Sequence, residues 1–279
     1  MLKNHIYNIL VKALEHSPTP SQETLLDKLA TFIFSKKNDE AFLMKGYAGT
    51  GKTTTVKALI NTLAGYRIKS VLLAPTGRAA KVLTGYTGKS AFTIHKKIYR
   101  QTSSKDGFGD FKLEKNLHKN TYFIVDESSM ISNQSSDFSM FGSGRLLDDL
   151  IRYVYEGEGC KLVLIGDTAQ LPPVKMDLSP ALDAKNLEGY GLSVHEAYLT
   201  DVLRQSRDSG ILANATGLRQ LLKEDVTDFP KISLEDYLDI EYVSGADLVE
   251  TISDTYDQVG MEETVIVTRS NKRANQFNQ

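Results

Sequence analysis

Lys45-Gly46-Tyr47-Ala48-Gly49-Thr50-Gly51-Lys52-Thr53-Thr54 follows a short apolar run, Ala41-Phe42-Leu43-Met44, and from Gly46 onward it satisfies G-x-x-x-x-G-K-[ST] at every position. The run predicts a buried strand and residues 54–63 predict a helix. Strand, loop and helix therefore come in the order that a phosphate-binding loop requires. Glycines there let successive N–H groups turn inward on phosphate oxygens, and the positive end of the helix faces the same oxygens. Lys52 adds a cation beside the β- and γ-phosphates and Thr53 a hydroxyl for Mg²⁺, while Gly46, Gly49, Thr50, Gly51 and Thr54 complete the cradle. The expectation is a nucleoside triphosphate site.

Three further apolar runs, Ser70–Ala74, Tyr122–Val125 and Lys161–Ile165, alternate with helical patterns. Such alternation predicts an α/β fold with a parallel sheet flanked by helices, whose ligands gather at the carboxyl ends of the strands. Tyr122–Val125 ends in Asp126-Glu127. A paired acid after a strand, downstream of a phosphate loop, is the Walker B arrangement: Asp126 holds Mg²⁺ and Glu127 orients the attacking water. Lys161–Ile165 ends in Gly166-Asp167-Thr168-Ala169-Gln170-Leu171-Pro172-Pro173. Gln170 is either a γ-phosphate sensor that relays nucleotide state or a member of an ordinary turn.

Other candidates carry two readings each. Gln22, in the first turn of a helix begun by Ser21, has the donor and acceptor that reading an adenine edge requires, or is a solvated helix-start residue. Pro75, Thr76, Gly77 and Arg78 suit a phosphate backbone or form a plain surface turn. In Ala91-Phe92-Thr93-Ile94-His95, Thr93 and His95 are offered as DNA contacts, with His95 equally a structural histidine. Residues 99–120 leave the apolar pattern around Asp106-Gly107 and predict a small excursion of two short strands, where Phe108 and Phe111 either stack on a base or are buried in a loop. Residues 132–144 read as loop. Arg204 either stabilises charge on a transferring phosphoryl group or forms a surface ion pair. Residues 238–243 and 264–268 predict strands, and 209–222 and 247–256 helices.

Composition narrows the classes. The 279 residues are 41% hydrophobic and carry 33 Lys and Arg against 35 Asp and Glu, a net charge of −2, so a nucleic-acid site must be a local groove. A single Cys160 excludes an internal disulfide and reads as a core thiol, and five scattered histidines spell out no metal cage. No run reaches the ~18 apolar residues of a membrane span, and the start lacks the apolar core of a signal peptide, so the expected setting is cytoplasmic and without membrane contact.

Taken in order, these segments resemble superfamily 1 DNA helicases of the RecD/Dda type. Tyr47–Thr54 is similar to motif I, Ala74–Leu83 to motif Ia, Ala91–Lys97 to the Thr-Ile-His segment of motif Ib, Val125–Met130 to motif II and Gly166–Val174 to motif III. Leu199–Ser206 resembles the Leu-Thr-x-x-x-Arg segment. The resemblance implies a RecA-like fold with the first motor domain at 1–205, a pin-like insertion at 99–120, and a connector with the start of a second RecA-like domain at 206–279. It implies an ATP·Mg²⁺-driven 5′→3′ helicase acting on single-stranded DNA or a single/double-strand junction, with Gln22 reading adenine and Arg204 reaching the γ-phosphate. It also suggests DNA repair, a larger recombination or repair complex and an exodeoxyribonuclease V subunit, although no nuclease acid cluster is present. The family's His-x-x-Gln-Gly and final Thr-Arg-x-Arg elements are absent, so the chain is expected to be an amino-terminal part that does not unwind alone. The alternatives are an ATP-gated DNA-binding module without turnover and a P-loop small-molecule kinase.

Overall fold

Apolar runs that lack polar alternation need cover on both faces, and such runs form the middle of the sheet in the computed structural model. It describes residues 2–14, 16–102, 110–134, 140–201, 209–224, 229–234 and 237–278. The chain divides into two compact units, Met1–Arg204 and Gln205–Gln279.

In the first unit, helices α1 (Leu2–Ala13) and α2 (Pro20–Phe34) precede strand β1 (Glu40–Gly46) and helix α3 (Lys52–Gly65). Then come β2 (Lys69–Ala74), α4 (Gly77–Thr87), β3 (Ala91–Thr93), α5 (Ile94–Ile98), β4 (Tyr99–Gln101) and β5 (Phe111–Leu113). The unit continues with β6 (Thr121–Val125), α6 (Leu146–Glu156), β7 (Lys161–Gly166), α7 (Ala184–Glu188) and β8 (Ser193–Leu199). Six strands pair in parallel in the order β3-β2-β6-β7-β1-β8, and β4 pairs with β5 as an antiparallel hairpin.

Alternate residues of each central strand feed two cores. Phe42, Met44, Ile124 and Val163 pack with α1, α2 and α3 on one face. Leu43, Phe123, Val125, Leu162 and Leu164 pack with α5 and α6 on the other, where Cys160 is buried as expected of a core thiol. Thr19 caps α2 through a capping box in which its hydroxyl accepts the Gln22 N–H and the Gln22 side chain accepts the Thr19 N–H, with Pro20 starting the helix.

Strand β8 falls in a stretch that carries no strand prediction. Its sequence, Ser193-Val194-His195-Glu196-Ala197-Tyr198-Leu199, alternates because an edge strand buries only part of its surface. In the second unit the described residues form α8 (Gly210–Lys223), α9 (Leu248–Val259) and α10 (Asn271–Phe277). The strands expected at 238–243 and 264–268 are not formed: both runs are irregular, and Val265 and Val267 are exposed. An apolar run becomes a strand only where a neighbour takes its N–H and C=O groups. The described residues of this unit offer none.

At the amino edge of the sheet, the buried Glu40 carboxylate accepts from Lys161 Nζ at 2.9 Å and lies 3.0 Å from His195 Nε2. Lys161 also donates to the carbonyls of Phe32 and Ser35, so α2, β1, β7 and β8 share one buried polar knot. Burial pushes the Glu40 carboxyl up, but hydrogen bonds from Ser35, His195 and Lys161, with the Lys161 charge, outweigh it and hold it below its usual value. A depressed folded pKa contributes stability above the unfolded value near 4.5, and that stability is lost as pH falls through the folded value. Glu40→Gln, which strands the Lys161 charge, is expected to cost about 3 kcal/mol of unfolding free energy at neutral pH. The gap from the parent should narrow below the unfolded value; urea titrations at pH 7 and at about pH 4 check both.

Candidate functional site

A cavity of about 330 Å³ opens where β1 ends, walled by Tyr47 to Gly49 and Gly51 to Thr54 from the loop and by Asp126, Glu127 and Gln170 from beyond β6 and β7. The topology explains the meeting. Strands β6, β7 and β1 are parallel neighbours, so the loops leaving them rise at one edge.

The loop is shaped by what cannot fit. A Cβ on Gly46 would lie 2.8 Å from both Leu199 Cβ and Thr50 Oγ1, so β8 and the loop close on bare backbone. Gly51 sits at φ 88°, where a side chain is strained, and starts α3 directly. Thr50 is buried and its hydroxyl donates to Tyr47 O at 2.7 Å; it pins the loop and does not line the cavity. Lys52 Nζ donates to Gly46 O at 2.7 Å and Tyr47 O at 2.9 Å, and stands 3.8 Å from Asp167 Oδ2.

Opposite the loop, Asp126 Oδ1 accepts the Glu127 N–H at 2.9 Å and Oδ2 accepts the Tyr86 hydroxyl at 2.7 Å. Glu127 adopts φ 53°, a left-handed backbone uncommon for a side-chain-bearing residue. Its carboxyl is raised above the ordinary value, first by burial and then by the charge of Asp126, with Asp167 adding to this and Lys52 and Gln170 opposing it. Gln170 Oε1 accepts the Ser129 hydroxyl at 3.1 Å, so its amide is tied to the Walker B turn on one side and to Glu127 on the other.

Four further residues, none of them named as a candidate from the sequence, stand out in the structure. Asp167 is buried with its Oδ1 on the Ala169 N–H, placing a third carboxylate near Lys52. Tyr198, from the unforeseen β8, shares a 2.7 Å hydrogen bond with Thr168 and meets the Tyr47 ring edge-on at 5.6 Å, with burial foremost pushing its phenol up to about 12. Tyr86 reaches Asp126 from α4, and Phe92 stands exposed in the middle of β3 with Lys96 5.9 Å from its ring centre. Tyr86 and Tyr198 lie in segments whose spacing is shared with ordinary surface, and only the tertiary neighbours distinguish them, whereas Asp167 and Phe92 fall within the Gly166–Val174 and Ala91–Lys97 segments.

Gln22 is buried, against its solvated reading. Its Oε1 accepts the Thr19 N–H at 3.0 Å, and its Nε2 is buried with no hydrogen-bond partner among the described residues. The neighbouring Ser21 N–H donates to Asp201 Oδ2 at 2.9 Å, which ties the start of α2 to the end of β8. Arg204 and Phe108 lie outside the described residues.

Of the remaining candidates, Thr76 and Thr93 are N-caps: their hydroxyls accept from Ala79 N at 3.2 Å and Lys96 N at 3.1 Å. Because β2 and β3 pair with Ala74 opposite Thr93, α4 and α5 begin side by side, with Pro75 part-exposed and Gly77 and Arg78 exposed. His95 is taken up by packing, 4.9 Å from the Phe141 ring and 5.7 Å from that of Tyr99, and burial lowers its pKa. Phe111, half-buried, stacks on Phe141 at 4.6 Å and roots the β4–β5 hairpin. Phe141 belongs to the 132–144 loop, so part of that loop serves as the hairpin's footing.

Gly46→Ala is expected to lower stability by about 1–3 kcal/mol through overpacking against Leu199. Gly85→Ala, in α4 with open space around the added methyl, should raise it by about 0.5–1 kcal/mol. Denaturant unfolding of the pair separates close approach from glycine content as such.

A family model described as an AAA domain (AAA_30) matches residues 19–228. The ATP-dependent RecD2 DNA helicase of Deinococcus radiodurans is 29% identical over 204 residues, 72% of this chain and 25% of that protein. The ATP-dependent DNA helicase dda of Enterobacteria phage T4 is 32% identical over 160 residues, 56% of this chain and 33% of its own length. The chain thus spans a quarter to a third of these relatives. A double mutant of the Pif1 helicase from Bacteroides superposes with a TM-score of 0.53 at 20% identity, over 86% of this chain and 57% of that one, a likeness of fold. Carrying a RecA-like α/β fold of the P-loop NTPase kind, the chain belongs to the AAA_30 family of AAA domains.

Proposed function

We propose that this chain is the ATP-binding motor portion of a DNA helicase, with 1–205 as its first RecA-like domain and 206–279 as the connector and start of a second. One observation carries the proposal: a single cavity gathers the phosphate loop, the paired acids Asp126 and Glu127, and Gln170. Two features support the fit of ATP·Mg²⁺. Asp126, Glu127 and Asp167 crowd one lysine, an excess of negative charge that a divalent cation relieves. The buried Nε2 of Gln22, without a partner among the described residues, is a donor of the kind that an adenine acceptor satisfies.

The residues then divide the work. The loop N–H groups and Lys52 bind the phosphates, with Thr53 and Asp126 holding the cation. When bound, ATP·Mg²⁺ supplies the γ-phosphoryl group and neutralises charge on its oxygens. Glu127, kept raised by its surroundings, orients and polarises the attacking water, and Gln170 links that water's neighbourhood to the Walker B turn through Ser129. The role of Arg204 rests on the Leu-Thr-x-x-x-Arg resemblance.

Single-stranded DNA is assigned to the paired starts of α4 and α5, where Thr76, Gly77, Arg78 and Thr93 present helix N-termini and a guanidinium to phosphates. The names of the relatives support DNA as the substrate. The 5′→3′ direction, a repair complex, the exodeoxyribonuclease V connection and a cytoplasmic setting rest on resemblance alone; no helix among the described residues is long and apolar enough to cross a membrane. A small-molecule kinase has no use for Gln170 bridging Ser129 and Glu127, which favours the motor.

Equilibrium binding of a fluorescent ATP analogue, beside ATP hydrolysis with and without single-stranded oligonucleotide, tests this. Lys52→Ala should weaken analogue binding roughly 10- to 100-fold. Glu127→Gln should keep binding and cut any stimulated turnover by about 10²- to 10⁴-fold. Unchanged binding in Lys52→Ala overturns the site. Turnover stimulated by a small acceptor but not by DNA favours the kinase, and binding of both ATP and DNA without turnover favours the gated module.

A further inference from the structure

Tyr86 is the penultimate residue of α4, and its ring packs half-buried against the core cluster built on Leu59, Leu83 and Ile124. The core therefore fixes the ring, and the ring fixes where the hydroxyl lands, on Asp126 Oδ2 at 2.7 Å. The other carboxylate oxygen accepts the Glu127 N–H at 2.9 Å, and the Asp126 N–H donates to Leu73 O at 3.0 Å. Asp126 is thus held at its backbone and at both oxygens. Each oxygen keeps further acceptor capacity, so holding the side chain does not use up what a cation or its water needs. Without the hydroxyl, the like charge of Glu127 would press the carboxylate away from this position.

Helix α4 has a second property. Its first turn carries Thr76, Gly77 and Arg78 at the exposed edge assigned above to DNA, and its far end carries Tyr86, about 13 Å along the helix axis. A straight helix of this length moves as one body.

We propose that Tyr86 is a positioning residue of the metal site: it holds the Asp126 carboxylate ready for Mg²⁺, and through α4 it links the strand-binding edge to that carboxylate. The proposal rests on the reading of the cavity as an ATP·Mg²⁺ site. Tyr86→Phe keeps the packed ring and removes only the hydroxyl, so it separates positioning from packing.

The test uses the full 279-residue chain and a fluorescent, non-hydrolysable ATP analogue, titrated in excess Mg²⁺ and again in EDTA. In Tyr86→Phe the affinity gained on adding Mg²⁺ should shrink about tenfold or more, the usual effect of removing a partner of a metal ligand, while affinity in EDTA stays at the parent value. An unchanged Mg²⁺ gain, or an equal loss in both conditions, overturns the positioning role. A parent chain that binds the analogue in neither condition overturns the reading of the site itself. A second titration follows a fluorescent single-stranded oligonucleotide. The parent should bind it more tightly with analogue and Mg²⁺ present, and the variant should lose most of that gain. An equal gain in both chains, or none in the parent, overturns the link through α4.

Discussion

A parallel sheet turns every strand end the same way, and this constraint organises the chemistry of the first unit. Once β1 lies between β7 and β8 with Leu43 opposite Leu164 and Glu196, the phosphate loop leaves the sheet beside Gly166 and Leu199. Asp126 rises one strand further on, at the end of β6, and the starts of α4 and α5 beyond that. No long-range guidance of individual side chains is needed; the hydrogen-bond ladder sets the row. Helices return along the faces and bury the two cores, which keep the ladder dry.

The row that results is electrostatically unbalanced. Asp126, Glu127 and Asp167 stand around Lys52, whose ammonium is held by the carbonyls of Gly46 and Tyr47. Burial foremost, with the charges of Asp126 and Asp167 adding to it, raises the Glu127 carboxyl. The amino edge of the same sheet shows the opposite solution. There Glu40 has a lysine, a histidine and a hydroxyl, and its carboxyl stays depressed. One edge is electrostatically satisfied within the fold, and the other is arranged for a ligand.

Much of this was legible in the sequence because the central strands are buried on both faces and read as unbroken apolar runs followed by motif residues. Legibility stopped where burial is one-sided or where pairing decides. Strand β8 alternates like a surface segment, and its Tyr198 and the close approach of Leu199 to Gly46 went unseen with it. The runs at 238–243 and 264–268 have strand composition but no partner among the described residues, and composition cannot report a missing neighbour. Gln22 shows the converse: its spacing suited a solvated helix start, and although its capping box with Thr19 is local, its burial arises only once α2 has docked. Tyr86 is invisible for the same reason, since nothing in Gly85-Tyr86-Thr87 points to a carboxylate 40 residues away.

The β4–β5 hairpin extends this logic to the mechanical side of the molecule. Its root is an aromatic group, Phe111 stacked on Phe141 with Tyr99 and His95 beside them, and the Tyr99 hydroxyl donates to the buried Asp149 at 2.7 Å. Asp149 also accepts the Ser143 N–H at 2.9 Å, so hairpin, 140–144 turn and α6 are joined at one carboxylate. His95 lies two residues after Thr93, the cap of α5, which starts beside α4. The aromatic group thus joins the base of the hairpin to the start of α5 within two residues. An insertion packed in this way is anchored to the first unit by the side chains at its base, and the same packing gives Phe111 and His95 a place in the frame.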